Sequence, residues 1–323
     1  MTMARDKQRG TRQAAKIVPR IRLVGVRRLL ASLHVTAALL LTSAAASAQM
    51  SVPGADLVVA RPVVNMYRNP TTSSDVVSQA IYGTDVLSFQ KQPGWYDIHT
   101  ADGYAGWVQA SDVLALDSTP YAPKGEAVRV TGLSANVYRE PDVTRHAALL
   151  RLPWEARLET LTAAPPDSAT AGRWLEVRLV DGQTAWVQNG DVSANSAPLS
   201  IDETLLLARR FLGITYTWGG VSSFGFDCSG FTQMLVRQRG IEMPRDADLQ
   251  AAWTGVVPVK REDLEPGDLL YFGSSPTKIT HTGMYIGDGQ FIHDTTHGHP
   301  GVQISKLDDM PWTKLLVAAR RVQ

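Results

Sequence analysis

The chain has one cysteine, Cys228, in the run Asp227-Cys228-Ser229-Gly230-Phe231. Apolar residues recur at three- and four-residue spacing through Phe231, Leu235 and Val236 towards Gly240, which predicts a helix over 228–240 with the thiol at its start. Free amides and the dipole of a helix N-terminus favour a thiolate, so the position makes Cys228 a candidate nucleophile. The alternative is a free cysteine serving as a small buried hydrophobe. Two histidines bear on the choice. Strands are predicted over 268–272, 280–286 and 290–294, the last two joined at Gly287-Asp288-Gly289 and carrying His281 and His293. A three-residue loop over 287–289 pairs Ile286 with Gln290, hence 281 with 295, and puts both imidazoles on one face. A two-residue Asp-Gly loop would put them on opposite faces unless a bulge intervened. Thiol catalysis needs such a pair: one imidazole to take the proton and a second group to orient the first.

Upstream of the cysteine, Ser200-x-x-Glu203 is a capping box ahead of Leu205, Leu206, Leu207, Phe211 and Leu212, with Gly213 following as a C-terminal stop. This predicts a helix that opens a domain at Asp202. The segment 194–201 before it is small, polar and proline-containing, a linker.

Two further stretches repeat one another. Asn65-Met66-Tyr67-Arg68-Asn69-Pro70 matches Asn136-Val137-Tyr138-Arg139-Glu140-Pro141 at an offset of 71, and Trp95, Asp102-Gly103, Trp107-Val108-Gln109 and Asp112-Val113 match Trp174, Asp181-Gly182, Trp186-Val187-Gln188 and Asp191-Val192 at an offset of 79. The difference is a loop insertion, placed at Ala164 to Ala171. Each unit consists of short β-rich segments, such as 84–89 and 95–100, separated by Gly, Pro and Asp-Gly turns, which calls for a small barrel with Trp107 and Trp186 in its core.

Length, charge and termini narrow the function. A chain of 323 residues is long for one core. Its formal charge is +1, but residues 1–48 hold nine Lys/Arg and one acid, leaving 32 − 9 = 23 bases against 31 − 1 = 30 acids, or −7, elsewhere. That remainder gives no electrostatic reason to bind nucleic acid. Arg20, Arg22, Arg27 and Arg28 precede an apolar stretch from Leu29 to Leu41 and then Ala46-Ser47-Ala48, the pattern of a signal peptide cleaved after Ala48. Nothing later reads as a membrane span, and a lone cysteine in an exported protein can form no internal disulfide.

Tyr216-Thr217-Trp218-Gly219-Gly220, Asp227-Cys228-Ser229-Gly230-Phe231, Pro244-Arg245-Asp246-Ala247, Pro266-Gly267-Asp268-Leu269 and His281-Thr282-Gly283-Met284-Tyr285-Ile286-Gly287, followed by Phe291-Ile292-His293, resemble in order and spacing the NlpC family of papain-like bacterial cell-wall cysteine peptidases. The repeated units resemble bacterial SH3-like domains. The resemblance implies a signal peptide (1–48), SH3-like domains at 55–116 and 125–193, the linker 194–201 and an α+β papain-like catalytic domain at 202–323.

It further implies Cys228 as nucleophile, His281 as general base and His293 as the orienting residue, with Tyr216 near the oxyanion. Asp227, Arg245 and Asp246 match positions that line the acceptor pocket and hold a peptide's amino end. Arg245 reads equally as a structural ion pair, Tyr216 as packing, and Ser229 as a helix-start hydrogen-bonding residue rather than a second nucleophile. The implied reaction, without metal or cofactor, is hydrolysis of peptidoglycan stem peptides between γ-D-glutamate and meso-diaminopimelate or lysine. In a subgroup with two such leading units, the first barrel walls off the cleft and selects peptides with a free N-terminal L-alanine. The implied location is periplasmic, secreted or wall-associated. Competing readings are an N-acetylmuramoyl-L-alanine amidase, an inactive wall-binding module, and a zinc hydrolase built on His281, His293, His297, His299 and Cys228.

Overall fold

The computed structural model describes residues 52–117, 119–122, 127–161, 172–194 and 197–323. The predicted signal peptide, the insertion at 164–171 and residues 195–196 of the linker lie outside them. Fourteen strands come first. They are Leu57–Val59 (β1), Val63–Tyr67 (β2), Val76–Ile81 (β3), Asp85–Gln92 (β4), Trp95–His99 (β5), Ala105–Gln109 (β6) and Val113–Ala115 (β7), then Ala127–Val130 (β8), Ser134–Tyr138 (β9), Leu150–Pro153 (β10), Arg157–Thr160 (β11), Trp174–Arg178 (β12), Thr184–Gln188 (β13) and Val192–Ser193 (β14).

The two sets make seven-stranded sheets ordered β3-β2-β6-β5-β4-β1-β7 and β10-β9-β13-β12-β11-β8-β14, the same order twice. Neither order returns on itself among the described residues, so each is an open arrangement rather than the expected closed barrel. The repeat is structural as well: Tyr67 meets Trp95 edge-on at 5.7 Å, and the equivalent Tyr138 meets Trp174 at 5.5 Å. Trp107 and Trp186 are only half-buried, and the core positions of their strands are Val108 and Val187. Period-two alternation decides this, because a strand with valine inward turns its neighbouring tryptophan outward.

The C-terminal region packs helices against a six-stranded sheet. Its helices are Ile201–Arg210 (α1), Cys228–Arg237 (α2), Ala247–Ala252 (α3) and Trp312–Leu315 (α4); a short pair, Val221–Ser222 (β15) and Gly225–Phe226 (β16), precedes α2. The sheet comprises Val256–Pro258 (β17), Leu269–Ser275 (β18), Lys278–Gly287 (β19), Gln290–Thr295 (β20), Gly301–Lys306 (β21) and Leu316–Val322 (β22), ordered β17-β22-β18-β19-β20-β21. The capping box forms as predicted, with Ser200 Oγ accepting from the Glu203 amide and Glu203 Oε2 accepting from the Ser200 amide. Helix α2 ends three residues earlier than predicted, and Gly240, at φ +75°, closes the turn beyond it.

Among the described residues three apolar clusters hold the fold together. The first seven-stranded sheet has its own core around Val59, Met66, Val86, Ile98 and Val108. The second shares one core with the C-terminal region, where Trp154 stacks edge-on against Phe211 and Phe211 against Phe226. On the opposite face of the C-terminal sheet, Leu270, Phe272, Phe291 and Trp312 form a smaller cluster.

The two repeated sheets meet across a buried ion pair, Asp85 with Arg157 at 3.4 Å, and Asp85 also accepts from the Tyr121 amide. Burial raises the Asp85 carboxyl and lowers the Arg157 guanidinium, so the attraction is set against a large desolvation cost. Removing one partner strands a buried charge. Asp85→Ala is expected to destabilise the protein by about 3–5 kcal/mol in urea denaturation, and a double Asp85→Leu, Arg157→Leu variant to recover most of that loss.

Candidate active site

Cys228 is the first residue of α2 and is 8% exposed. The local sequence dictates this seat. Asp227 caps the helix by accepting from the Gly230 amide at 2.7 Å, and its other oxygen accepts from the Gly219 amide at 2.9 Å. Gly230 lets the helix approach the 219–220 turn, because a Cβ there would stand 2.1 Å from the Gly220 carbonyl oxygen. Arg245 grips the same carboxylate in a two-point contact, Nη1 to Oδ1 at 3.0 Å and Nη2 to Oδ2 at 2.6 Å, and donates to Ser229 Oγ at 2.8 Å. Both readings of Arg245 are thus open in space: it lines the cavity over Cys228, and its guanidinium is committed to Asp227, Ser229 and, at 3.2 Å, Ser78 of β3.

The histidine hairpin corrects the predicted loop and keeps its consequence. Gly287 pairs with Gln290, so the turn is the two-residue Asp288-Gly289, both at positive φ. A bulge at Ile286 then restores the register: Tyr285 pairs with Phe291 and Met284 with Ile292. Both imidazoles therefore share a face, and His281 Nε2 lies 2.8 Å from His293 Nδ1. His293 Nε2 lies 3.0 Å from Ser305 Oγ on β21. Phe272 and Trp312 lie against His281, and Phe291 and Trp312 against His293, at ring separations of 4.5–5.6 Å.

These contacts couple the proton positions of the two rings. If His281 offers Nδ1 to the thiol, its Nε2–H donates to His293 Nδ1, and His293 Nε2–H then donates to Ser305 Oγ. Burial pulls His281 down to about 4, although part of its edge remains accessible and the Asp227 charge works the other way. Burial, aided by the charge on His281, pulls His293 to about 2. Burial and then Asp227 push the Cys228 thiol up to about 12, outweighing the Thr282 and Ser229 amides that hydrogen-bond the sulfur. Desolvation thus works against the thiolate that helix position alone favours, and against the imidazolium as well.

A cavity of about 700 Å3 opens over the thiol. Tyr216, Trp218, Asp227, Ser229, Arg245 and Asp246 line it from the C-terminal region, so every predicted binding residue is there, while Arg68, Asp75, Val76 and Tyr104 line it from the first sheet. Tyr104 donates its hydroxyl to Asp246 at 3.2 Å, and Trp218 Nε1 donates to the Val76 carbonyl at 3.0 Å. Burial raises the Tyr216 hydroxyl, and the nearby Cys228, Asp227 and Asp294 charges add to this. His297 sits against Trp312, and Gln303 Nε2 donates to the carbonyls of His297 and His299. Among the described residues no three His, Cys, Asp or Glu side chains converge as metal ligands would.

Sequence reasoning missed Tyr104, Ser305 and Trp312. Tyr104 left a usable trace, because the 79-residue offset aligns it with Gln183, a break in an otherwise close match around Asp-Gly. Ser305 and Trp312 left none; sheet pairing and a distant helix bring them in.

Comparison with known proteins agrees with this geometry. The NlpC/P60 family matches residues 213–321, and the bacterial dipeptidyl-peptidase Sh3 domain matches residues 66–113. A Bacillus cereus protein named gamma-D-glutamyl-L-lysine dipeptidyl-peptidase is 30% identical over 266 residues, 78% of this chain and 76% of the relative. A Bacillus subtilis protein of the same name is 29% identical over 260 residues, 77% of this chain and 82% of the relative. A crystal structure of an NlpC/P60 family protein from Bacillus cereus superposes with a TM-score of 0.71 at 25% identity, over 83% of this chain and 99% of that one. With a cysteine at a helix start, two hydrogen-bonded histidines on the facing sheet and an SH3-like domain ahead of them, the chain belongs to the NlpC/P60 family of cysteine peptidases.

Proposed function

We propose that the protein is an exported cysteine endopeptidase that hydrolyses the γ-D-glutamyl–diamino acid bond of peptidoglycan stem peptides, preferring peptides with a free N-terminal L-alanine. The observation that carries this reading is the cavity over Cys228, which is walled partly by the first sheet rather than left open along its length. A long crosslinked strand has to pass through a cleft, whereas a short peptide end fits against a wall. We assign residues 55–116 and 125–193 to two SH3-like domains on the strength of their identical strand order, and 202–323 to the catalytic domain.

In the assigned mechanism Cys228 is the nucleophile, His281 the base and His293 the orienting residue. As sulfur attacks the amide carbonyl, the S–H proton passes to His281 Nδ1 and the carbonyl oxygen takes the negative charge, with Tyr216 and the Cys228 amide as donors. His281 then gives its proton to the leaving amine, the C–N bond breaks and a thioester remains. Water, deprotonated by His281, hydrolyses it and the thiol is restored. Because burial disfavours both the thiolate and the imidazolium, proton transfer accompanies attack. Asp246 is the carboxylate suited to a peptide ammonium: its contact is the neutral Tyr104 hydroxyl, whereas Asp227 is already held by Arg245. Ser229 and Arg245 then serve the peptide through the shape and charge they give that wall.

The deciding experiment is mass spectrometry of products from L-Ala-γ-D-Glu-meso-diaminopimelate, its lysine counterpart and intact sacculi. Release of L-Ala-γ-D-Glu from the free peptides and not from sacculi is expected; release of whole stem peptides from glycan would favour the amidase, and no product the binding module. Cys228→Ala should abolish release. His281→Ala should cost about 10^4-fold in kcat and His293→Ala about 10^2-fold, since the second orients rather than transfers the proton; equal losses would refute that division. Because the base must be neutral, kcat/KM should fall only as pH drops towards about 4, well below the ordinary imidazole value near 6.5, and a pH–rate profile tests this.

A further inference from the structure

Asp294 follows His293 on β20 and is buried completely. Side chains alternate along a strand, so Asp294 faces away from the histidine pair, on the side where Ile292 and Met284 share a core with Phe231, Met234 and Leu235 of α2. Neither of its oxygens is in hydrogen-bond geometry with a partner among the described residues, although the Thr295 amide lies near enough to act on the carboxyl. The register that pairs Met284 with Ile292 brings Thr282 opposite it, and the Thr282 hydroxyl is likewise buried and unpartnered. Native proteins seldom leave a buried carboxylate without a cation or donors.

The charged and titratable groups around it are known. From the start of α2 come Asp227, paired with Arg245, and the Cys228 thiol; from the segment before β15 comes Tyr216, whose hydroxyl responds to an Asp294 charge. His281 and His293 occupy the other face of the sheet, and the facing residue of β21 is Val302. Among the described residues no cation contacts Asp294, and its charged neighbour Asp227 is negative. Burial first, and then Asp227, push the carboxyl up to about 8, with the Thr295 amide pulling weakly the other way.

We propose that Asp294 is a positioning residue that stands uncharged in the working enzyme, and that turnover requires this because a negative charge there would oppose the oxyanion that forms beside Tyr216. The proposal rests on the reaction assigned above to Cys228 and Tyr216. A neutral Asp294 leaves Tyr216 facing one acid, Asp227, whose charge Arg245 already balances. Ionised, it adds an unbalanced negative charge that acts on the hydroxyl assigned to donate to the oxyanion, so the loss falls on kcat rather than on KM.

The test compares the wild type with Asp294→Asn, which keeps shape and polarity without the charge, and with the smaller Asp294→Ser. In the wild type kcat should decline about tenfold per pH unit above about 8, with KM little changed, whereas both variants should hold their rate over that range. A wild type without that decline, or an Asn variant that keeps it, overturns the proposal. Stability reads the same charge without substrate. The folded-state value is raised, so the contribution of Asp294 is fully present below its unfolded value near 3.8 and is lost progressively up to about 8. The Tm of Asp294→Asn relative to wild type should therefore rise between about pH 4 and about pH 8 and level off beyond; the buried histidines cancel in that difference. A pH-independent difference overturns the proposal. A wild type that turns over no wall peptide overturns the assigned reaction and with it this role, and the Tm series then still reports whether Asp294 is held neutral.

Discussion

The contact between Asp227 and Arg245 is the constraint on which the rest of the site depends. One carboxylate caps the helix that carries the thiol, ties down the Gly219 turn and receives a buried guanidinium in a two-point contact. The guanidinium reaches on to Ser229 and to Ser78 of the first sheet. Helix start, loop and neighbouring sheet are thus joined through a single pair, and the Coulomb attraction offsets a desolvation cost that neither ion could bear alone. The same arrangement sets the local field, since Asp227 raises the thiol and opposes the downward shift of His281.

Burial governs the chemistry around that anchor. Phe272, Phe291 and Trp312 surround the histidines, and the thiol is nearly enclosed, so each ionisable group is driven towards its neutral form. The hydrogen bonds that link His281, His293 and Ser305 couple the tautomers of the two rings and hold them in one arrangement.

The two repeated sheets show how one architecture takes two roles. The second merges its core with the C-terminal region through Trp154 and Phe211, whereas the first keeps a core of its own, gives Ile81 and Tyr82 to the shared one, and presents polar side chains to the cavity. Tyr104 in the first repeat stands where the second has Gln183, and that one difference gives the first sheet a hydroxyl aimed at Asp246.

Local order in the chain was enough for the capping box at Ser200, the helix start at Cys228, the repeat and the two-histidine hairpin, because each depends on neighbours within a few residues or on a recurring spacing. It also brought Tyr216, Asp227, Ser229, Arg245 and Asp246 together as one set, since they sit in short runs around the cysteine. Where it erred, a longer-range effect prevailed. The turn at 288–289 is one residue shorter than spacing implied, and a bulge at Ile286 compensates, giving a register in which Met284 and Ile292 are both buried. Helix position argued for a thiolate, but desolvation, which depends on everything packed around Cys228, outweighs a few amides. The wall that the first sheet adds to the cavity, the serine behind His293 and the unpaired Asp294 come from contacts between segments up to 142 residues apart. Tertiary structure alone decides such contacts, because no local pattern records which distant side chain fills a given space.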